Sequence, residues 1–172
     1  MSADPSAGLA DRLLRASELH GDFVLSSGRR SSVYFDKFRF LGDPALLREL
    51  GIAVAELLPK EATHLAAPEG AATLLLAAVA IETGLPLSVI RREAKAYGTM
   101  SQVEGYAPKR ARVALIEDVS TTGAQVLAAA KAIEEREAEV AVIVLALDRG
   151  GADALVAAGY AVRSVVSLRP DA

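Results

Sequence analysis

The sequence contains no cysteine among its 172 residues. Disulfides, thiolate catalysis and cysteine-based metal sites are therefore excluded, and a reducing cytoplasm is the expected compartment. Only two histidines occur, His20 and His64, and they are isolated from each other in the sequence. Neither a histidine-rich metal site nor a Ser–His–Asp triad is expected. His20 is predicted near the end of a first helix, close to Gly21, and His64 at the start of a strand.

Long apolar runs and clusters of basic residues are also missing. The longest uncharged run, 70–81, is far shorter than the roughly 20 apolar residues that a membrane helix needs, and residues 1–8 lack the apolar core of a signal peptide. The net charge is −3, with no lysine- or arginine-rich segment of the kind on which nucleic-acid affinity depends. We therefore expect neither a membrane nor a nucleic acid as partner. A small anionic ligand would need only a few well-placed cations.

Apolar residues are plentiful, at 52% of the chain, and they occur in short runs of mostly Ala, Leu and Val. From about residue 61 onward, runs typical of buried strands alternate with segments of helical spacing. This alternation predicts an α/β fold, in which a mostly parallel central sheet has helices on both faces. The predicted strands are 65–67, 87–90, 113–116, 140–147 and 161–168, and the predicted helices are 71–82, 123–136 and 152–158.

The first 60 residues are expected to add a small N-terminal hood of a helix and a hairpin to this core, within a single domain that spans residues 1–172. Two β-like runs, 23–25 and 33–35, flank a polar turn in which Gly28 could supply a positive φ. Asp43 and Pro44 should begin another helix, with Asp as the N-cap and Pro at the first helical position.

Residues 116–124 carry the strongest chemical signal, because an apolar strand is followed by two acids, three hydroxyl residues and a glycine. Backbone N–H groups at a helix start can surround a phosphate together with hydroxyl groups, and Gly123 would let the backbone approach closely. Glu117 and Asp118 can accept hydrogen bonds from ribose hydroxyls and can help to hold a magnesium ion. The alternative is an N-capped helix with two solvated acids. No Walker-type GxxxxGK[ST] sequence is present.

Residues 91–105 combine charged residues and glycines with no apolar period, so they are predicted to form one long exposed loop, and such loops are often functional. Arg91, Arg92 and Lys95 lie within five positions of each other. Cations placed in this way can stabilise the charge that develops on a phosphate leaving group. The alternative is an ordinary solvated surface.

Four segments together resemble a known family. The run 114–123, ALIEDVSTTG, is similar to the motif by which type I phosphoribosyltransferases bind phosphoribosyl pyrophosphate (PRPP). Residues 23–36 resemble the N-terminal signature of orotate phosphoribosyltransferases, F-x-L-x-S-G-x-x-S-x-x-Y-x-D. Residues 90–99 resemble the mobile catalytic loop of that family, and 147–151 resemble its strand-end L-D-R. The four segments occur in the order and at the spacing of the family.

The resemblance implies transfer of the phosphoribosyl group of PRPP to orotate, with Mg²⁺ carried by PRPP, helped by Asp118, and not held in a dedicated protein cage. It also implies a homodimer in which the catalytic loop reaches into the site of the neighbouring subunit. The implied catalytic residues are Lys95, Asp118 and Glu117. The implied PRPP-binding residues are Arg91, Arg92, Lys95, Tyr97, Glu117, Asp118, Val119, Ser120, Thr121, Thr122, Gly123, Ala124 and Gln125.

The implied orotate-binding residues are Thr121, Arg149, Tyr34 and Phe35. Orotate is a planar carboxylate, and a guanidinium group can bind a carboxylate through two parallel hydrogen bonds. Arg149 stands where the family has its orotate-binding arginine. Alternation along the hairpin predicts that only one of Tyr34 and Phe35 faces the ligand, and core packing is the competing role for both.

The sequence departs from the family pattern at four places. Arg92 replaces the usual lysine of the loop, which keeps the charge but changes its geometry. Tyr97 stands where some members have histidine, and it is assigned a positioning role.

Ser26 stands where many relatives have lysine, and Arg30 or Lys37 could supply a nearby cation in its place. The segment 67–72 occupies the position of the pyrophosphate loop, but there Glu69 would repel pyrophosphate unless it points away or acts through magnesium.

Besides a general nucleotide-binding α/β module, which failure to bind PRPP would reveal, two other functions stay open at this point. One is a phosphoribosyltransferase that acts on another base, against which Arg149 and the hairpin signature argue. The other is a non-catalytic protein that senses PRPP or a nucleotide on the same fold. Lys95 and both acids argue against a sensor, because a sensor need not keep a cation for the leaving group.

Overall fold

A six-stranded sheet with helices on its two faces makes up most of the computed structural model, which describes residues 5–24, 28, 30–93, 101–106 and 109–168 (for 5–7 the backbone alone). The helices are α1 (Pro5–Ser17), α2 (Lys37–Leu41), α3 (Pro44–Glu56), α4 (Ala72–Thr83), α5 (Ala124–Glu134) and α6 (Gly151–Ala157). The strands are β1 (Glu18–Val24), β2 (Arg30–Phe35), β3 (His64–Pro68), β4 (Leu87–Ile90), β5 (Val103–Gly105), β6 (Arg112–Ser120), β7 (Glu139–Asp148) and β8 (Val162–Ser167). Within these ranges, none of the helices has the length and apolarity that crossing a bilayer demands.

The strand order of the sheet confirms the predicted, mostly parallel architecture. The order is β5-β4-β3-β6-β7-β8, and every neighbouring pair is parallel except β5 with β4, which is antiparallel at one edge. The chain winds from β3 to β4 in one direction and then places β6 on the other side of β3. Ligands in such sheets bind at the carboxyl ends of the strands, beside the point where the winding changes direction.

Both faces of the sheet are buried, which is why its strands are nearly continuous apolar runs in the sequence. Along β6, Ala114 and Ile116 pack into a cluster with side chains of α3 and α4. Val113 and Leu115 point to the opposite face and pack with α5 and α6. The prediction of helices on both faces is therefore confirmed.

The N-terminal elements share the main core. β1 and β2 form the predicted antiparallel hairpin, and Gly28 has a φ of +79°. Leu13 of α1 and Phe40 of α2 are buried in the same cluster as α3 and α4. Ser26 lies outside the described residues.

The predicted end of the first helix is wrong. α1 ends at Ser17, and His20 lies in β1. The Ser17 carbonyl oxygen accepts a hydrogen bond from the Asp36 N–H at 2.9 Å, and Glu18 pairs with Phe35 across the hairpin. Pairing with a distant strand therefore outweighs the local helical pattern of residues 18–20.

The short helix α2 was not predicted. It begins after Asp36, whose side chain accepts a hydrogen bond from the Phe38 N–H at 3.0 Å. Five residues are too few to establish a helical period. By contrast the predicted start of α3 is confirmed, because the Asp43 side chain accepts hydrogen bonds from the N–H groups of Ala45 and Leu46.

The interpretation of residues 91–105 as one loop is wrong at its end, where Val103–Gly105 forms β5. Val103 pairs with Ile90, and Gly105 pairs with Ser88. Three residues with one acid among them give no alternation from which a strand could be predicted. Residues 94–100, which include Lys95 and Tyr97, lie outside the described residues.

Close contact between the starts of α5 and α6 depends on two glycines. Gly123 precedes α5 with a φ of +74°, and a Cβ atom at this position would lie 2.9 Å from the carbonyl oxygen of Gly151. A Cβ at Gly151 would in turn overlap the side chain of Ser120. The loop between β6 and α5 therefore has its shape because neither position carries a side chain.

Replacing Gly123 by alanine should lower the free energy of unfolding by about 2 kcal/mol or more, since a positive φ and a steric overlap both oppose the new methyl group. Urea unfolding measures this loss. Gly8→Ala in α1 is the matched control, because no atom lies within 4 Å of a Cβ built there, and alanine in a helix should be neutral or stabilising. Equal stability of the two variants would contradict this account of the loop.

Candidate active site

The nine residues predicted to form the phosphate segment follow one another from the end of β6, through a turn, into α5. Glu117, Asp118, Val119 and Ser120 end the strand, Thr121 to Gly123 form the turn, and Ala124 and Gln125 begin the helix. A cavity of about 130 Å³ is lined by most of these residues. Lys37 of α2, which is distant in sequence, also lines it. The structure thus brings the predicted phosphate segment together and adds one cation.

The alternative of two solvated acids is wrong. Glu117 and Asp118 are only 4% and 0% exposed, respectively, because pairing between β6 and β7 continues to the register of Ser120 with Asp148. The predicted strand 113–116 was too short by four residues at this end. The alternative of a helix capped by a side chain fails as well, since α5 begins after a glycine with no side-chain cap.

One proton and one lysine balance the charge of the two acids. Burial, together with the hydrogen bond and the proximity to Asp118, raises the pKa of Glu117 to about 9, while Lys37 acts in the opposite direction. At neutral pH Glu117 therefore holds a proton, and Asp118 forms an ion pair with Lys37. The Nζ atom of Lys37 lies 3.0 Å from each carboxylate oxygen of Asp118. The geometry gives a hydrogen bond to Oδ1 and leaves Oδ2 without a hydrogen-bond donor among the described residues.

The contact that Lys37 makes with Asp118 was not predicted from the sequence. Arg30 and Lys37 were both named as cations that could substitute for the lysine missing at Ser26. Arg30 is exposed in the hairpin and pairs with Asp22, its Nε lying 3.1 Å from Oδ1. Lys37 instead reaches Asp118, 81 positions away in the chain. The signal in the sequence that could have indicated the position of Lys37 is that it directly follows Asp36, the N-cap of α2.

The predicted orotate residues Arg149 and Phe35 lie together beside the turn. The guanidinium carbon of Arg149 is 4.8 Å from the ring centroid of Phe35. The Arg149 N–H donates to the Ser120 carbonyl oxygen at 2.8 Å, which places the arginine next to Thr121. Tyr34 points away from this group, is 42% exposed and packs on Phe23 with a centroid distance of 5.5 Å. Alternation therefore separates Tyr34 from Phe35, as expected for neighbours on a strand.

Asp148 shapes the turn that presents Arg149, a role that sequence reasoning missed. Its buried side chain accepts hydrogen bonds from the N–H groups of Gly150 at 2.9 Å and Ala152 at 3.1 Å. Gly150 has a φ of +106°, which few residues other than glycine adopt. The strand-end sequence Asp-Arg-Gly thus folds back, leaving the arginine side chain exposed at the carboxyl end of β7.

A second, larger cavity adjoins the first along the start of α5. Its volume is about 430 Å³, and Arg91 and Arg92 at the end of β4 line it together with Gln102 and Gln125. Ala124 and Gln125 line both cavities. Two of the four predicted loop residues are therefore placed about a shared cavity with the phosphate segment, while Lys95 and Tyr97 lie outside the described residues.

A parallel sheet with an acid pair and a hydroxyl-rich turn at its switch point, flanked by a cationic cavity, defines the type I phosphoribosyltransferase class. No protein-family model matches the chain. The chain is, however, 36% identical over 166 residues to the orotate phosphoribosyltransferase of Thermococcus gammatolerans (93% of this chain and 88% of the relative). It is 40% identical over 162 residues to that of Methanopyrus kandleri (92% and 87%). The chain belongs to the orotate phosphoribosyltransferase family.

A solved structure supports the same assignment. The orotate phosphoribosyltransferase of Mycobacterium tuberculosis in complex with PRPP superimposes with a TM-score of 0.80 at 28% identity, over 95% of this chain and 96% of that one. The fold and the order of its elements are therefore those of the family.

The raised pKa of Glu117 should be visible in the stability of the protein. Unfolded, this carboxyl loses its proton near pH 4.5, whereas the folded chain keeps it up to about pH 9. Between these values the unfolded state binds fewer protons, so stability falls as pH rises, by on the order of 1 kcal/mol per pH unit. Glu117→Gln should flatten that fall and be more stable than wild type at pH 8.

Urea unfolding at a series of pH values measures the slope. Glu56→Gln, which changes an exposed acid of α3, should leave the slope as it is in the wild type. A Glu117→Gln variant that kept the wild-type slope would show that this carboxyl is ionised in the folded protein.

Proposed function

We propose that this protein transfers the phosphoribosyl group of PRPP to orotate, giving orotidine 5′-phosphate and pyrophosphate in pyrimidine biosynthesis. The observation that carries the proposal is the position of Arg149. A guanidinium suited to a planar carboxylate lies over the ring of Phe35, beside a turn built to hold a phosphate. Family membership and this pair of residues favour orotate over a purine base.

The cavity at the turn is the proposed site of the 5-phosphate and ribose. The first residues of α5 line it, and the backbone N–H groups and positive end at a helix start favour an anion. Ser120, Thr121 and Thr122 supply hydroxyl donors. Because Glu117 is protonated, it can both donate to and accept from a ribose hydroxyl, whereas Asp118 can only accept.

The cavity lined by Arg91 and Arg92 is the proposed site of the pyrophosphate. Negative charge grows on this group as its bond to the ribose C1 breaks, and fixed cations stabilise that change most strongly where it develops. By family resemblance, Lys95 and Tyr97 join them. The base then displaces pyrophosphate at C1, and no covalent intermediate with the enzyme is needed.

Mg²⁺ is proposed to enter bound to PRPP. Among the described residues no three histidine, cysteine or acidic side chains form a group that could hold a metal. Magnesium commonly uses one or two carboxylates together with substrate phosphates, and Asp118 offers a carboxylate for such a site. Once bound, the ion would neutralise part of the charge of the leaving pyrophosphate.

A homodimer is the proposed assembly, with α4 as part of its interface. Residues 74–81 are all apolar, and a helix that is apolar on every side is normally covered on every side. Leu74 and Ile81 are nevertheless 41% and 86% exposed, and with Ala77 they lie on one face at helical spacing. A second copy of this chain would cover that face and, by family resemblance, exchange catalytic loops.

Small molecules are the proposed partners, not a membrane or a nucleic acid, and the cytoplasm is the proposed compartment. PRPP and orotate are both small anions, and the absence of cysteine is compatible with a reducing environment.

Loss of orotate absorbance in the ultraviolet tests the proposed reaction. Wild type should consume orotate only when PRPP and Mg²⁺ are both present, and Lys95→Ala should abolish turnover. Arg149→Gln should raise KM for orotate roughly 10- to 100-fold, the worth of a charge-assisted bidentate contact, with KM for PRPP almost unchanged. Arg48→Gln, at an exposed arginine of α3, is the control.

Two outcomes would contradict the proposal in different ways. PRPP binding without loss of orotate would point to another base or to a sensor. Failure to bind PRPP would mean that the segment 117–125 is not a phosphoribosyl site at all.

Sedimentation velocity tests the proposed dimer. Ile81→Lys should shift wild-type dimers towards monomers, because a charge buried in an apolar interface is costly. Val156→Lys is the matched control. Val156 of α6 is, like Ile81, an exposed β-branched residue, at 58%, but it lies outside the proposed interface. A dimer that persists in Ile81→Lys would place the interface elsewhere.

A further inference from the structure

We propose that Glu69 is an internal competitor for the anion in the Arg91–Arg92 cavity, and that its charge lowers the affinity of this site for pyrophosphate. The inference rests on the proposed function, because it assigns pyrophosphate to that cavity. Glu69 belongs to neither the phosphate segment nor the orotate-binding residues. From the sequence, its carboxylate is expected to repel pyrophosphate unless it points away or acts through magnesium.

The backbone of Glu69 is fixed between two elements of the site. Its N–H donates to the carbonyl oxygen of Ile90, at the end of β4, at 2.8 Å. Its carbonyl oxygen accepts from the side-chain amide of Gln125, at the start of α5, at 3.4 Å. The side chain therefore leaves the backbone at a defined place beside the cavity.

The Glu69 carboxylate uses two donors that a bound anion would otherwise use. Its Oε1 accepts a hydrogen bond from the backbone N–H of Arg92 at 3.1 Å. Its Oε2 lies 3.7 Å from Nη1 of Arg91, a contact longer than a hydrogen bond. Both arginines line the cavity. A carboxylate of this chain thus stands where a phosphate oxygen would find a backbone donor and a guanidinium.

Arg91 is only partly satisfied by this contact. Its Nε is buried and has no hydrogen-bond partner among the described residues. Its main chain, by contrast, is held by Gln102. The Arg91 N–H donates to the Gln102 carbonyl oxygen, and the Gln102 side-chain amide donates to the Arg91 carbonyl oxygen. A buried guanidinium nitrogen without an acceptor is costly. The side chain can therefore gain by turning from Glu69 to an anion that offers more oxygens.

The consequence for the reaction concerns release of the product. Pyrophosphate carries several negative charges and would bind tightly to two arginines alone. A fixed carboxylate beside them repels it and keeps the donors partly occupied, so pyrophosphate leaves more readily. Product release limits turnover in many enzymes, and a weaker product complex is useful where that step is slow.

Titration calorimetry with inorganic pyrophosphate tests the inference. Glu69→Gln keeps an acceptor for the Arg92 N–H but removes the charge, so Kd for pyrophosphate should fall about threefold to tenfold, a range limited by the partial exposure of both side chains. Pyrophosphate inhibition of the forward reaction should strengthen by the same factor. Glu69→Asp, which keeps the charge, should remain close to wild type.

Two controls separate this effect from a general loss of negative charge or from damage to the fold. Glu135→Gln removes an exposed acid at the end of α5 and should leave Kd for pyrophosphate unchanged. Ribose 5-phosphate, which would occupy the other cavity, should bind wild type and Glu69→Gln equally, and this equality also shows that the variant is folded.

The outcomes are distinct. Unchanged or weaker pyrophosphate binding in Glu69→Gln, with normal binding to wild type, would overturn this inference and leave the proposed function standing. Weaker binding confined to solutions that contain Mg²⁺ would show that Glu69 assists the metal, which also overturns it. Failure of wild type to bind pyrophosphate under any condition would overturn the proposed function as well.

Discussion

Pairing between β6 and β7 continues to the last residue of both strands, and the site depends on this pairing. Had β6 ended at Ile116, the two acids that follow would lie in solvent with ordinary acidity. Because the ladder continues to Ser120 and Asp148, Glu117 and Asp118 are buried, and they cannot both be ionised without a large desolvation cost. The same pairing brings Arg149 next to the turn, through a hydrogen bond from its N–H to the Ser120 carbonyl oxygen. Backbone pairing thus positions the proposed ribose and base contacts together.

The burial of Asp118 explains why the N-terminal hood is attached where it is. A buried carboxylate needs a partner of opposite charge, and the buried side chains that the structure describes on the core strands include no lysine or arginine. Lys37 comes from α2, directly after the hairpin, so its ion pair with Asp118 links the hood to the carboxyl end of the sheet. Phe35 lies two residues before Lys37, so the ion pair also helps to hold its ring beside Arg149, with 4.8 Å between the guanidinium carbon and the ring centroid. An electrostatic requirement of the core therefore fixes the geometry of an element that contributes to substrate contact.

Much of the fold could be predicted from the sequence, because buried parallel strands are apolar on both faces and their helices have caps and glycine stops. The predicted strand 87–90 and the helix start at Asp43 agree with the structure for that reason. Features decided by contacts between distant residues could not be predicted. They include the end of α1 at Ser17, the short strand β5, and the contact of Lys37 with Asp118. The motif identified which residues form the phosphate segment, but not that its acids are buried, since adjacent acids look like a solvated pair in any local reading.

Each of the two charged groups central to the site has a partner of opposite sign within the chain. Asp118 faces Lys37 at 3.0 Å, and Arg91 faces Glu69 at 3.7 Å. A ligand that binds either group must therefore displace the partner that the chain already provides. The affinity for the ligand is the difference between the new interaction and the ion pair that it replaces.

The two ion pairs are not equally easy to break. Asp118 is fully buried, so its pair with Lys37 is expensive to break, whereas Arg91 and Glu69 are both about one-third exposed and more loosely paired. The ribose end of the site should consequently stay preorganised while the pyrophosphate end adjusts, which suits a reaction in which the ribose stays bound and the pyrophosphate must leave.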